Sequence, residues 1–321
     1  MTDDFSVAIP SHYQQEDIDL DALLPHVPRR TFHDERALQP GWTSDATGVI
    51  TDYLRVTAAV LDQFPRLRVL SFAGTGVGDW VDVPYATRRG IAVCNVPDWG
   101  SQSIAEFTFG LLLAVARKIV PADRMARSPV WREEELRGLE LRGMTMGLVG
   151  LGAIGQRVAE LAEALGLRVL CTTRRPEAPR ATTARVEFVP LDELLRRSNI
   201  LSLHCALTDE TRGLIGAREL ALLPPGAILL NTARGPIVDT DALVEALRSG
   251  RLWGAGLDVF DQEPLPQGHP LQQLDNVVLA PHIAGQTATA RRRLYATSVS
   301  NIDAFAAGNP VNVVNPDVLK R

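Results

Sequence analysis

The sequence predicts an α/β protein of two domains, the larger built on a doubly wound parallel sheet. Three observations predict it. The 321 residues exceed what one core of ordinary size holds. From residue 144 onward, short apolar runs alternate regularly with helix-patterned stretches, the rhythm of repeated β-α units. The runs are apolar at nearly every position, as in strands covered on both faces.

In the N-terminal third, FSVAIP, RRTFHD, TGVITD, LRVLSFAG and IAVCNVP are short and β-leaning, with LDALLPH and TAAVLDQF at helical spacing between some of them. A small α/β domain is expected there. SIAEFTFGLLLAVARKI (103–119) is expected as one helix, opened by a capping box of Ser103 and Glu106. It is too apolar for a one-sided surface helix and is expected to lie buried between domains. Next comes the strand TMGLVG, then the helix AIGQRVAELAEALG, stopped by Gly166. LRVLCTT is a strand, LDELLRRS a helix, and ILSLHCA and AILLNTA are strands. The helix TDALVEALRSG has Asp239 or Thr240 as N-cap and Gly250 past its end. GAGLDVF and NVVLAPHI bring the strands of this half to six, and a helix over 287–308 precedes a Pro- and Asn-rich tail.

Composition narrows the function classes. Apolar residues make up 45% and charged residues 22%, values of an ordinary globular chain, and the net charge of −5 gives no general attraction to nucleic acid or an anionic membrane. The acidic start MTDDFS lacks the form of a signal peptide, and the longest apolar run, FGLLLAVA, is too short to cross a bilayer. Cys94, Cys171 and Cys205 are odd in number and far apart, so buried free thiols and a cytoplasmic location are expected. No His/Cys/Asp spacing suggests a metal site.

GLVGLGAIG (147–155) contains Gly150-x-Gly152-x-x-Gly155. A lone GxGxxG is weak, but this one follows a strand and opens a helix, the context of a dinucleotide loop. The helix start, Ala153 and Ile154, would present backbone amides to phosphates. About twenty residues on, such units carry an acid for the ribose 2′-hydroxyl of NAD. Here stand Thr173, Arg174 and Arg175. Without a carboxylate to repel it, a 2′-phosphate is tolerated, and two guanidinium groups can pair with it. The site therefore reads as NADP(H)-preferring, with NAD possible. Two solvated loop charges are the alternative.

Three later strand ends carry reactive groups: Arg234 after LLNTA, Glu263 after GAGLDVF, and His282 in LAPHIAGQ. In open α/β sheets ligands sit off the carboxyl ends of strands. A 2-oxo acid needs a cation for its carboxylate, a proton donor for its carbonyl oxygen, and a carboxylate beside that donor to raise its pKa. Taken alone, each reads better as structure: Arg234 as a surface turn residue, Glu263 as a solvated loop acid and His282 as a satisfied strand-end histidine. Three at successive strand ends point to one site.

With RGIAVCNVP, SIAEFTFGLLL, GLVGLGAIG, LLNTARGPIVDTDALVEALRSG, GAGLDVFDQEPLP and APHIAG, the chain resembles the D-isomer-specific 2-hydroxyacid dehydrogenases from about LRVLSFAGTG to VNVVN, and more weakly before residue 45. Thr173-Arg174 is similar to the NADPH-favouring glyoxylate/hydroxypyruvate reductase type. The resemblance implies a Rossmann-type domain over 103–287, including the helix 103–119, inserted into a smaller flavodoxin-like substrate domain, 1–102 completed by 288–321. It implies Arg234, Glu263 and His282 as catalytic residues, with Asp258 at the nicotinamide amide. Cys205, Ala206, Thr211, Thr232, Ala233 and Gly285 are expected along the cofactor. The backbone of Thr75, Gly76 and Val77, with Arg234 and His282, is expected around a small 2-oxo or 2-hydroxy acid. Gripping it from both domains would require closure. A homodimer through the nucleotide domain is also implied.

Departures from the family pattern concern substrate identity. AGTGVGDWVD is one residue longer than usual, Gly100 stands where many members have Asn, Phe107 where His is common, and Ala206 where Pro is frequent. Trp80 and Trp99, if they line the substrate space, imply a substrate larger and more apolar than glyoxylate. His204 is expected to pack near the cofactor. His12, His26 and His33 are expected at the surface or in packing, and His269 in a loop. A dinucleotide-sensing regulatory protein on the same fold, or a formate- or phosphite-type dehydrogenase, remains open as an alternative.

Overall fold

The structure, a computed structural model, describes residues 4–34 and 45–320. The chain divides into two compact units, Met1–Gly100 with Thr287–Arg321, and Ser101–Gln286.

In the first unit the strands are β1 (Ser6–Pro10), β2 (Arg29–His33), β3 (Gly48–Thr51), β4 (Val69–Phe72) and β5 (Ala92–Cys94). All neighbours are parallel, in the order β2-β1-β3-β4-β5. This is the flavodoxin-like order. Helices α1 (Leu20–Leu23), α2 (Ala58–Leu61) and α3 (Val83–Arg88) belong to this unit. Of these, α3 was not foreseen. One face of the sheet packs against Leu294, Tyr295, Val299 and Ile302 of the C-terminal helix Ala288–Ala306. The other packs against Leu61, Phe64 and Ala86. Thr287 caps the C-terminal helix by accepting from the Ala290 amide. The tail returns to β5, where Asn315 Oδ1 accepts from the Val93 amide.

The second unit begins with α4 (Ser101–Ala116) and α5 (Ile119–Ala126). The single helix expected over 103–119 is therefore corrected at both ends. The helix starts two residues earlier, leaving Ser103 inside its first turn, and it breaks at Lys118, which takes a left-handed conformation (φ 50°). Glu106 accepts from the Gln102 side chain one turn before it.

Seven parallel strands follow: β6 (Thr145–Val149), β7 (Arg168–Thr172), β8 (Val186–Phe188), β9 (Ile200–Leu203), β10 (Ala227–Asn231), β11 (Leu252–Leu257) and β12 (Val277–Leu279). Their spatial order is β12-β11-β10-β9-β6-β7-β8, the doubly wound Rossmann order with a seventh strand added. The strand missed in the sequence is β8. It is a three-residue edge with Glu187 and Phe188 exposed, so it lacks the apolar run that marks its neighbours.

Alternation along the strands sends side chains to two cores. Met146, Leu148, Val169, Cys171, Ile228 and Leu230 meet α4 and α6 (Ala153–Ala164). Leu170, Leu201, Leu203 and Leu229 meet α7 (Leu191–Arg197), α8 (Ala217–Leu222) and α9 (Thr240–Arg248). Asp239 caps α9 by accepting from the Ala242 amide, as its position predicts.

Candidate functional site

The glycine loop lies between β6 and α6. Gly150 has φ 100°, and a Cβ there would meet the His204 carbonyl oxygen at 2.7 Å. Only glycine supplies both the conformation and the clearance. Its amide donates to the Thr172 carbonyl at 2.9 Å, tying the loop to the end of β7. Gly152, the N-cap of α6, faces open space: a Cβ there meets nothing within 4 Å. No side chain caps this helix and no acid stands in its first turn. Space beside an uncapped helix start, at Gly152, Ala153 and Ile154, fits a pyrophosphate. Gly155 would place a Cβ 2.4 Å from the Gly150 carbonyl oxygen, so helix and loop pack on bare backbone.

Thr173 is half-buried, while Arg174 and Arg175 are exposed. Neither guanidinium makes a hydrogen bond or ion pair among the described residues. The positive charge of Arg174 acts on Cys205 and on Glu210, whose carboxylate accepts from the Thr208 hydroxyl at 2.6 Å.

The loop after β9 is organised by Thr211. Its hydroxyl donates to the Ala206 carbonyl at 2.7 Å and accepts from the Thr208 amide at 2.7 Å. His204 bonds through Nε2 to the Ser202 hydroxyl at 2.8 Å, and burial pushes its pKa down to about 4. It stands behind the glycine loop as a neutral ring. Cys94 and Cys171 are buried free thiols whose pKa burial raises to about 12 and about 11. Cys205 is free but only half-buried, which corrects the expectation of burial for all three.

The reactive groups come together at the carboxyl ends of β10, β11 and β12. Asn231, the last residue of β10, folds the turn: its Oδ1 accepts from the Ala233 amide at 3.0 Å and its Nδ2 donates to the Arg234 carbonyl at 2.9 Å. This Asx turn was not foreseen, although an Asn before a Gly-Pro turn is its usual signal. Thr232 is nearly buried, and its hydroxyl lies 3.1 Å from that of Thr108 on α4. Gly235 lets this turn touch the next one. A Cβ there would lie 2.0 Å from the Phe260 carbonyl carbon. The Arg234 turn and the segment leading to Glu263 are therefore in backbone contact, and Arg234 Nη1 donates to the Ala233 carbonyl at 2.8 Å.

Glu263 makes two bonds. Its Oε1 accepts from the Phe260 amide at 3.0 Å, and its Oε2 lies 2.7 Å from His282 Nδ1. The Glu263 hydrogen bond raises the His282 pKa above the ordinary imidazole value, against burial and the nearby Arg234 charge. Burial pushes Glu263 upward, but bonds from His282 and the Phe260 amide, with the His282 and Arg234 charges, hold it below the usual range. His282 has φ 55°, a left-handed conformation costly for a residue with a Cβ. The cost is met by Asp258, which is 1% exposed. Its carbonyl accepts from the His282 amide at 2.8 Å, its Oδ1 from Ile283 at 2.8 Å and its Oδ2 from Ala284 at 2.9 Å. Both carboxylate oxygens of Asp258 thus hold the loop that carries His282 and leads to Gly285. Burial raises the Asp258 pKa.

In the first unit, the Thr75 hydroxyl donates to the Val96 carbonyl at 2.9 Å, and the amides of Thr75 and Gly76 find no acceptor among the described residues. Val77 differs from its neighbours: its amide donates to the Thr75 carbonyl at 3.0 Å and its side chain is buried. Trp80 stacks on Phe72 with ring centroids 6.1 Å apart, and Trp99 packs on this unit's core, its carbonyl accepting from Arg293 at 2.8 Å. His33 is buried, with its pKa pushed down to about 4 by that burial. His12 sits among Tyr13, Tyr53 and Tyr295, and His26 pairs with Asp303. His269 Nδ1 accepts from the Leu271 amide. Among the described residues, no group of three or more His, Cys, Asp or Glu could hold a metal ion, and no helix is long and apolar enough to cross a membrane.

Comparison with known proteins identifies the family. The model of the D-isomer specific 2-hydroxyacid dehydrogenase, NAD binding domain, matches residues 109–284. A glyoxylate reductase of Aeropyrum pernix is 45% identical over 280 residues, covering 85% of this chain and 83% of the relative. An NADPH-dependent glyoxylate/hydroxypyruvate reductase of Sinorhizobium meliloti, solved with NADP and malonate, is 31% identical with a TM-score of 0.80, covering 97% of each chain. A D-lactate dehydrogenase of Aquifex aeolicus, solved with NAD and lactic acid, is 29% identical with a TM-score of 0.82, covering 96% of this chain and 99% of the other. The chain belongs to the D-isomer specific 2-hydroxyacid dehydrogenase family, whose members are NAD(P)-dependent oxidoreductases.

Proposed function

We propose that this protein is an NADPH-preferring reductase of small 2-oxo acids, glyoxylate or hydroxypyruvate foremost, giving the D-hydroxy acid where a stereocentre forms. The observation that carries the reading is the Glu263–His282 pair, 2.7 Å apart, at adjoining strand ends with the Arg234 turn. Arg234 holds the substrate carboxylate and orients the carbonyl. The Glu263 carboxylate engages His282 Nδ1, fixing the ring and leaving Nε2 to deliver the proton to the carbonyl oxygen. A bound nicotinamide supplies the hydride. The uncapped start of α6 receives the pyrophosphate, and Arg174 and Arg175 take the 2′-phosphate. Asp258 acts first by holding the His282 loop, and any contact with the nicotinamide amide is additional to that.

The choice of substrate is supported by similarity to the glyoxylate reductase of Aeropyrum pernix and the glyoxylate/hydroxypyruvate reductase of Sinorhizobium meliloti. The dinucleotide is assigned to residues 103–287 and the substrate loop to residues 1–102 with 288–321. A cytoplasmic homodimer completes the proposal. A panel of 2-oxo acids with NADPH and NADH tests it. Glyoxylate and hydroxypyruvate should be reduced with higher kcat/KM using NADPH. Arg174→Ala should raise KM for NADPH and leave NADH nearly unchanged, while Thr173→Asp should move preference toward NADH. Equal losses with both cofactors would remove the 2′-phosphate role. Absence of turnover with every 2-oxo acid would favour a dinucleotide-sensing protein.

A further inference from the structure

The connection from β7 to β8 has no regular structure, yet one side chain ties it together. Arg180 Nη1 donates to the carbonyls of Pro176 and Ala178, each at 2.7 Å, and Nη2 donates to the Arg175 carbonyl at 2.6 Å. The guanidinium lies over the Phe188 ring on β8, 5.0 Å from its centroid. One residue further on, the Ala181 amide donates to Gln156 Oε1 of α6 at 2.8 Å. A single planar fork thus gathers three carbonyls that no strand or helix satisfies, of which only that of Arg175 has a second donor, the Ala178 amide at 3.3 Å, and the fork is anchored between the edge strand and the glycine-loop helix.

This contrasts with its neighbours. Arg175 gives its carbonyl to Arg180 but keeps its own guanidinium exposed, and Arg174 is exposed as well. Two cations are displayed at the end of β7 by a backbone that a third arginine fixes. Left unpinned, that backbone would have to be ordered each time an anion bound, at a cost in affinity.

We propose that Arg180 is a positioning residue for cofactor selection, holding backbone 175–178 so that Arg174 and Arg175 are preorganised for a phosphomonoester on the adenosine ribose. The inference rests on the 2′-phosphate reading of Arg174 and Arg175. Arg180 is not assigned as a phosphate ligand, since its Nη1 and Nη2 serve the loop and its Nε is buried. A lysine cannot replace it, because one ammonium cannot span three carbonyls as a fork does.

The test uses the whole protein without substrate, titrated calorimetrically with 2′,5′-ADP and with 5′-AMP. Arg180→Ala and Arg180→Lys should each weaken 2′,5′-ADP by about tenfold while 5′-AMP stays within about twofold of the unaltered protein. Arg174→Ala is run beside them. If Arg174→Ala weakens 2′,5′-ADP and the Arg180 variants do not, the positioning role is wrong and the phosphate reading stands. If Arg174→Ala changes nothing, the phosphate reading itself is wrong. Equal loss of both ligands in Arg180→Ala would assign a general structural role, and full retention in Arg180→Lys would assign mere charge. Either result overturns the proposal. Should Arg180→Ala misfold, as thermal unfolding would show, Arg180→Lys carries the comparison.

Discussion

At the scale of the residue, the Glu263–His282 pair makes a signed prediction. In the proposed mechanism reduction requires His282 to carry its proton, so the rate should fall as pH rises through the His282 pKa. Glu263 is the leading cause that holds this pKa above the ordinary value of about 6.5. In Glu263→Gln the basic limb of the reduction profile should move to lower pH. Oxidation of the hydroxy acid requires the neutral ring, so its acidic limb should move to lower pH by the same amount. Unmoved limbs would reject the pairing. His282→Ala should lower kcat by about 10²- to 10⁴-fold, the range of a positioned acid/base. At this scale the sequence is most legible where chemistry selects a residue type: Arg234, Glu263 and His282 are apparent from residue type and strand-end position. Asp258 is less so. The family resemblance implies it at the nicotinamide amide, and its oxygens also hold two backbone amides of the His282 loop. That role depends on folding across 25 or 26 residues of chain, which no local pattern reveals.

At the scale of the element, two glycines separate stability from binding. Gly235→Ala would place a methyl group 2.0 Å from the Phe260 carbonyl carbon, in backbone that cannot rotate away. Chemical denaturation should show a loss of about 1–3 kcal/mol, the usual cost of overpacking, with activity lost as the Arg234 turn leaves the Glu263 segment. Gly152→Ala meets nothing within 4 Å and has φ −73°, so stability should hold. NADPH affinity should nevertheless fall, because the methyl group enters the space left for pyrophosphate. Unchanged affinity would remove the cofactor from the start of α6. The elements themselves are legible wherever burial imposes a pattern. Four of the five N-terminal strands and six of the seven later ones follow apolar runs, while β2, RRTFH, is polar and mostly exposed. β8, exposed at an edge, has no such run, and the break at Lys118 lies under continuing apolar spacing, with Pro121 in the first turn of α5 as its local signal.

At the scale of the whole molecule, parallel crossovers restrict strand order to a few topologies without choosing among them, since the two sheets of this chain carry different orders. Association with a second copy is not constrained in that way, and exposure supplies the argument. In the second unit, Leu113, Ile119, Val130 and Trp131 are exposed large apolar residues within one short stretch, and Trp131 is 66% exposed. Its indole nitrogen donates to the Ser128 carbonyl at 3.2 Å, which fixes the ring against its own turn and leaves its faces to solvent. Several large apolar side chains in one exposed stretch are the usual mark of an association surface, and a symmetric pair is the commonest assembly. The protein should therefore sediment with the mass of two chains at micromolar concentration. Trp131→Glu places a charge on that surface and should yield a one-chain species that still binds 2′,5′-ADP, since the glycine loop and Arg174 lie on other segments. A one-chain mass for the unaltered protein, or a two-chain mass for Trp131→Glu, would remove this stretch from the interface.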